Sequence, residues 1–160
     1  MLEGRPWEFE GNLFLVEDVD GRTSPLYFTF DKASFWVRML NLPLACMGRE
    51  MGFKLGGSAR IVDEVDSDAD GVGWREFLRV KIWVDLYKPL SRGCMMKFEG
   101  KSYLIGFKYE RLSKFCSHCG VICHGKEGCL KRSTMRNQED LTQFGPWLRA
   151  NSPIRRGDRI

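Results

Sequence analysis

Histidine is scarce in this chain of 160 residues: His118 and His124 are the only two. A Ser-His-Asp or Cys-His catalytic arrangement would have to be built on one of them. No stretch approaches the roughly 18 consecutive apolar residues that a transmembrane helix needs. The opening residues, Met1 to Glu8, lack the apolar run of a secretory signal, so an intracellular setting, nucleus or cytoplasm, is expected. There is no G-x-x-x-x-G-K-[ST] phosphate loop, no G-x-S-x-G and no H-E-x-x-H. Internal repeats and low-complexity tracts are also missing. An enzyme is therefore not the expectation.

What is present is ample apolar material, 43% of residues with five Trp, and 29% charged residues, the balance of a globular chain. Six Cys in a reducing compartment are poor candidates for a disulfide framework, and clustered ones more often bind metal. Charge is unevenly distributed. From Lys108 onward eleven Lys and Arg face five Asp and Glu, a net of +6, which leaves −2 for residues 1–107. The basic third is also the part that holds the Cys cluster.

Four zones can be read along the chain. Residues 1–31 carry a short strand candidate, Asn12 to Val16, and resemble the remnant of a larger unit. Residues 32–110 are the best patterned. Phe35 to Leu40 reads as a strand, and Ala45 to Leu55 as a helix with Met47, Met51 and Leu55 on one face, stopped by Gly56-Gly57. Arg60 to Val65 alternates as a strand. In Phe77 to Leu86 the residues Leu78, Val80, Ile82, Val84 and Leu86 point one way, and Phe77, Arg79, Lys81, Trp83 and Asp85 the other. After a break at Lys88-Pro89, a hairpin-like stretch turns at Gly100 into a strand over Ser102 to Tyr109. This order predicts an α+β domain of ferredoxin-like or RNA-recognition-motif-like type. Residues 111–132 form a small metal-binding segment, and 133–160 a basic, flexible tail.

Residues 116–129 contain C-x2-C-x4-H-x4-C, through Cys116, Cys119, His124 and Cys129. Three thiolates and an imidazole form a closed tetrahedral set for Zn²⁺, used for structure rather than catalysis because no position is left for water. So short a loop cannot bury enough apolar surface to fold, and metal binding must supply the folding free energy, on the order of 10 kcal/mol or more. Cys123, beside His124, offers a rival all-thiolate set. His118 is badly placed for the same ion.

That spacing resembles the CCHC zinc knuckle of retroviral nucleocapsid and retrotransposon proteins. The resemblance extends to Phe35-Trp36-Val37-Arg38, Asn41-Leu42-Pro43-Leu44, Phe77-Leu78-Arg79-Val80, Lys88-Pro89-Leu90, Arg92-Gly93, Lys108-Tyr109-Glu110-Arg111-Leu112 and Phe144-Gly145-Pro146-Trp147-Leu148. These are similar to a plant family in which a domain of unknown function precedes a CCHC knuckle, related to LINE-type non-LTR retrotransposon proteins. The resemblance implies Zn²⁺ and nucleic-acid binding, with Cys116, Cys119, His124 and Cys129 as ligands. Two residues depart from the pattern. Cys123 stands where knuckles have Gly, which predicts strain at that turn. Ser117 stands where retroviral knuckles have a base-stacking aromatic.

Lys114, Lys126, Lys131, Arg132 and Arg136 surround the cluster, and Arg149, Arg155, Arg156 and Arg159 extend the charge. Such residues give salt-sensitive, sequence-independent phosphate contacts. Phe77, Arg79, Lys81 and Trp83, flanked by Trp36 and Arg38, offer a second, stacking surface for single strands. Packing of these aromatics against residues 1–31 or a missing partner is the competing explanation. Asp66, Asp68, Asp70 and Gly71 imitate an EF-hand opening, but Phe77 occupies the position of the required Glu, which excludes Ca²⁺. The expected function is zinc-dependent binding of single-stranded RNA or DNA with low sequence specificity. The alternative is a protein-interaction adaptor using the knuckle and the Trp-rich sheet, and no membrane is expected as partner.

Overall fold

A computed structural model describes residues 6–16, 21–67, 76–124, 128–129 and 143–150. A small hairpin comes first, β1 (Trp7–Phe9) and β2 (Asn12–Phe14). A five-stranded antiparallel sheet follows, built from β3 (Lys32–Leu40), β4 (Ile61–Asp66), β5 (Phe77–Asp85), β6 (Gly93–Phe98) and β7 (Lys101–Tyr109) in the order β4-β5-β3-β7-β6. One helix, α1 (Arg49–Ala59), connects β3 to β4.

Strict alternation along β5 defines the buried face of the sheet, against the central strand β3. On β5, Leu78, Val80, Ile82 and Val84 are opposed by Met39, Val37, Phe35 and Ala33 of β3, and all eight are buried on one face. Ile105, Phe107 and Tyr109 of β7 continue that face. Tyr109 meets Phe35 edge-on, at 6.2 Å between ring centroids, and its hydroxyl donates to the Ser91 carbonyl at 2.7 Å. The second strand of the β6–β7 hairpin starts after Glu99 and Gly100, at φ of 48° and 76°. Positive φ at both central residues marks a two-residue turn whose twist suits the strands it joins.

The helix lies four residues later than Ala45 to Leu55, and Gly56-Gly57 is inside it rather than at its end. Packing explains the difference. Gly52, Leu55, Gly56 and Ala59 form the buried stripe. A Cβ at Gly52 would come within 2.7 Å of Val65, and one at Gly56 within 2.6 Å of Val62. The two glycines therefore bring the helix backbone onto the sheet.

The chain is mixed α+β, mostly sheet. A ferredoxin-like or RNA-recognition-motif-like domain carries two helices, and among the described residues α1 is the only α-helix. The stretch between β5 and β7 instead supplies β6, an edge strand. Its Gly93 lies so close to Ile105 that a Cβ would strike the Ile105 carbonyl oxygen. That crowding favours glycine at this position in the strand.

Residues 143–150 are equally a departure from a flexible tail. Phe144 and Leu148 are buried in the core, and the Ala150 N–H donates to the Tyr109 carbonyl at 2.8 Å. The other residues of 133–160 lie outside those described.

Candidate metal centre and nucleic-acid interface

The metal-binding segment is docked against the sheet. The Leu90 N–H donates to the Gly120 carbonyl and the Cys123 N–H to the Leu86 carbonyl, both at 2.8 Å. Within the loop, Gly120 N–H bonds the Cys116 carbonyl at 2.8 Å, and Cys116 N–H bonds the Val121 carbonyl at 2.9 Å. Gly120 has φ of 73°, and a Cβ there would collide with the Phe144 ring. A turn in the left-handed region and a ring laid on its backbone both call for glycine.

This path brings the ligand atoms of Cys116, Cys119, His124 and Cys129 within 4.8 Å of one another. Cys119 Sγ lies 3.0 Å from His124 Nε2. Such separations suit one shared ion with Zn–S bonds of about 2.3 Å. The electrostatics call for a cation as well. Burial raises the Cys119 thiol, its neighbours Cys116 and Cys129 raise it further, and it is pushed up to about 11 despite the Val121 N–H. Burial also opposes ionisation of Cys116. The N–H groups of Cys119 and His118, with the Cys119 and Cys129 thiols, outweigh burial and lower it. Three crowded thiols cannot all ionise without a positive charge among them. The donor set and its geometry therefore fit Zn²⁺.

Cys123 stands apart. It packs half-buried against the core, and burial raises its thiol. Its φ is not positive, so the turn predicted to be strained by a side chain carries no left-handed strain. His118 is exposed and outside the cluster.

The cationic residues divide by location. Lys126, Lys131, Arg132, Arg136, Arg155, Arg156 and Arg159 lie outside the described residues. Lys114 is exposed beside the metal loop, its N–H donating to the Gly11 carbonyl at 2.7 Å. Arg149 is tied inward, donating to the Leu112 and Ser113 carbonyls at 3.2 Å.

Phe77, Arg79, Lys81 and Trp83 do share the outer face of the sheet, with Trp36 and Arg38 opposite. Their charges, however, are taken up within that face. Arg79 donates to Glu110 at 2.8 and 3.0 Å and to Asp66 at 3.3 Å, while lying 3.9 Å from the Trp36 ring centroid. Arg38 donates to the same Glu110 at 2.8 Å and covers Phe77. Lys81 pairs with Asp63, the residue at the register shift in β4, at 3.6 Å. Burial opposes the Glu110 charge, but the hydrogen bonds and charges of Arg79 and Arg38 prevail and hold its carboxyl below the ordinary range. Trp83 lines a cavity of about 40 Å³ with Trp7, Phe14 and Phe30. The central cations of the sheet are thus occupied by carboxylates, and Trp83 meets the N-terminal segment.

Glu110 was missed as the charge hub, because only strand register shows that Arg38 and Arg79 are neighbours. Phe144 was visible as an apolar residue in a polar region, though not as the ring beneath the metal loop.

A protein-family profile described as a zinc knuckle matches residues 84–131. The match begins at the end of β5, so it includes β6 and β7 as well as the Cys cluster, in keeping with the docking seen here. An uncharacterized protein of Arabidopsis thaliana is 25% identical over 133 residues, covering 81% of this chain and 41% of that protein. The chain thus spans about two fifths of the length of the curated relative it matches. No solved structure matches.

Proposed function

We propose that this chain is a zinc-dependent nucleic-acid-binding protein that holds single-stranded RNA or DNA with little sequence preference. The convergence of Cys116, Cys119, His124 and Cys129 is the observation that carries this reading. These four residues hold Zn²⁺, which folds the loop and fixes its basic surroundings. With every coordination position filled by protein, the ion activates no water, and the role is binding rather than catalysis. Phosphates are held by cations close to the knuckle in the sequence: Lys114, with Lys126, Lys131, Arg132 and Arg136. Reduced thiolate ligands accord with a nuclear or cytoplasmic setting. Kinship to retrotransposon proteins rests on the motif resemblance. Among the described residues no helix is long and apolar enough to cross a membrane.

The test is fluorescence anisotropy of a labelled single-stranded RNA against the full chain across a salt series, with Zn²⁺ and then with chelator. Affinity should fall steeply with salt and weaken on chelation. Binding indifferent to chelation would detach the function from the metal centre. Absence of binding at low salt would overturn the nucleic-acid reading in favour of the protein-interaction adaptor.

A further inference from the structure

Of the described tryptophans, Trp147 is the most exposed, at 53%. The others have evident packing roles: Trp36 lies under Arg79 and Lys81, while Trp7 and Trp83 line the cavity at the N-terminal hairpin. Trp147 has no such cover, yet the segment that carries it is fixed on both sides. It sits in a 3-10 turn, Pro146–Leu148, between buried Phe144 and buried Leu148. The next residues are held by Arg149 on the Leu112 and Ser113 carbonyls and by Ala150 on Tyr109. The Trp147 ring lies against Gly145, where a Cβ would strike the ring carbons. Phe144, on the other side of Gly145, is the ring that covers Gly120 of the metal loop.

A large aromatic ring is thus held on Gly145, next in the chain to the Phe144 that covers the metal loop, while half of it stays in water. Arg92 is exposed near the same place, with its guanidinium 5.4 Å from the Phe144 ring centroid. Among the described residues, neither Arg92 nor Lys114 forms an ion pair, unlike Arg38, Arg79 and Lys81. The exposed ring lies on Gly145 and the unpaired Arg92 over the adjoining Phe144, and a single strand requires this pairing, since bases stack on aromatic faces and phosphates need counter-charge. Prior fixing of the ring spares the entropy of ordering it on binding.

We propose that Trp147 is the base-stacking platform of this protein, with Arg92 as an adjoining phosphate contact. It supplies from beyond the Cys cluster the aromatic that Ser117 does not provide within it. The assignment rests on the nucleic-acid reading above and says where on the surface the bases lie.

The experiment uses the zinc-loaded full chain and two labelled probes of equal length, an oligothymidylate and an abasic oligonucleotide with the same phosphates. Trp147→Ala should weaken oligothymidylate binding by about tenfold and leave abasic binding unchanged, while Trp147→Phe should recover most of the loss. Trp147→Leu keeps apolar bulk without an aromatic face and should behave as Trp147→Ala, which keeps the test valid if the alanine variant folds poorly. Equal binding of oligothymidylate by wild type and Trp147→Leu would overturn the stacking role alone. Equal losses on both probes would also overturn it, since the ring would then act through the fold. Failure of the wild type to bind either probe would overturn the nucleic-acid reading and the platform with it.

Discussion

The outer face of the sheet and the surface around the metal loop both combine aromatic rings with cations, but they use them in opposite ways. On the sheet, Glu110 draws Arg38 and Arg79 together, Asp66 and Asp63 take up Arg79 and Lys81, and the guanidiniums close over Trp36 and Phe77. Around the metal loop and the Phe144 that covers it, Lys114 and Arg92 form no ion pair among the described residues, and Trp147 is half in solvent. Composition alone does not distinguish a binding surface from a self-satisfied one. What distinguishes them is whether acidic partners lie in register with the cations.

The largest effect should come from removing the metal side only. Cys119→Ser takes away a buried ligand, and zinc binding, on the order of 10 kcal/mol of folding free energy for such a loop, should be lost. Metal analysis should find no bound zinc, and RNA affinity should fall, while far-UV circular dichroism still reports the sheet. Loss of the sheet signal would mean that the two regions fold as one unit.

On the sheet side, Glu110→Ala should destabilise by about 2–3 kcal/mol by leaving Arg38 and Arg79 without their shared carboxylate, as read by urea unfolding. RNA affinity should be unaffected. The pH dependence has a definite sign. The folded-state Glu110 carboxyl titrates below its ordinary 4.5, so its contribution is complete above that pH. It is lost as pH falls through the lower folded-state value. Stability should therefore drop more steeply with acid in the wild type than in Glu110→Gln.

Gly56→Val should cost about 2 kcal/mol by forcing α1 off Val62 and Val80, a thermal-melting measurement that leaves zinc content intact. The smallest effects compare two lysines. Lys114→Ala should weaken RNA binding about twofold to threefold and reduce the salt slope by about 1, whereas Lys81→Ala should change neither.

The legible parts of the chain were those in which one residue type repeats at a fixed spacing. The alternation of Phe77 to Leu86 located β5 to within a residue, and the Cys and His spacing located the cluster that the fold assembles. Gly56-Gly57 was misread as a helix stop because the sequence does not show the sheet that approaches Gly52 and Gly56. A ferredoxin-like or RNA-recognition-motif-like type implies a second helix, whereas the hairpin-like stretch turning at Gly100 is the β6–β7 hairpin, with β6 at the sheet edge. Glu110 resembles any charged residue at a strand end until register brings two arginines to it. Cys123 and His124 could be separated only once the backbone turned one toward Leu86 and the other toward Cys119.

The most direct measurement is a two-dimensional amide NMR titration of the zinc-loaded chain with oligothymidylate. Shifts concentrated in residues 112–124 and 143–150, with Phe77 to Trp83 unmoved, are the predicted result. Shifts concentrated in β5 and β3, with the metal loop silent, would contradict it.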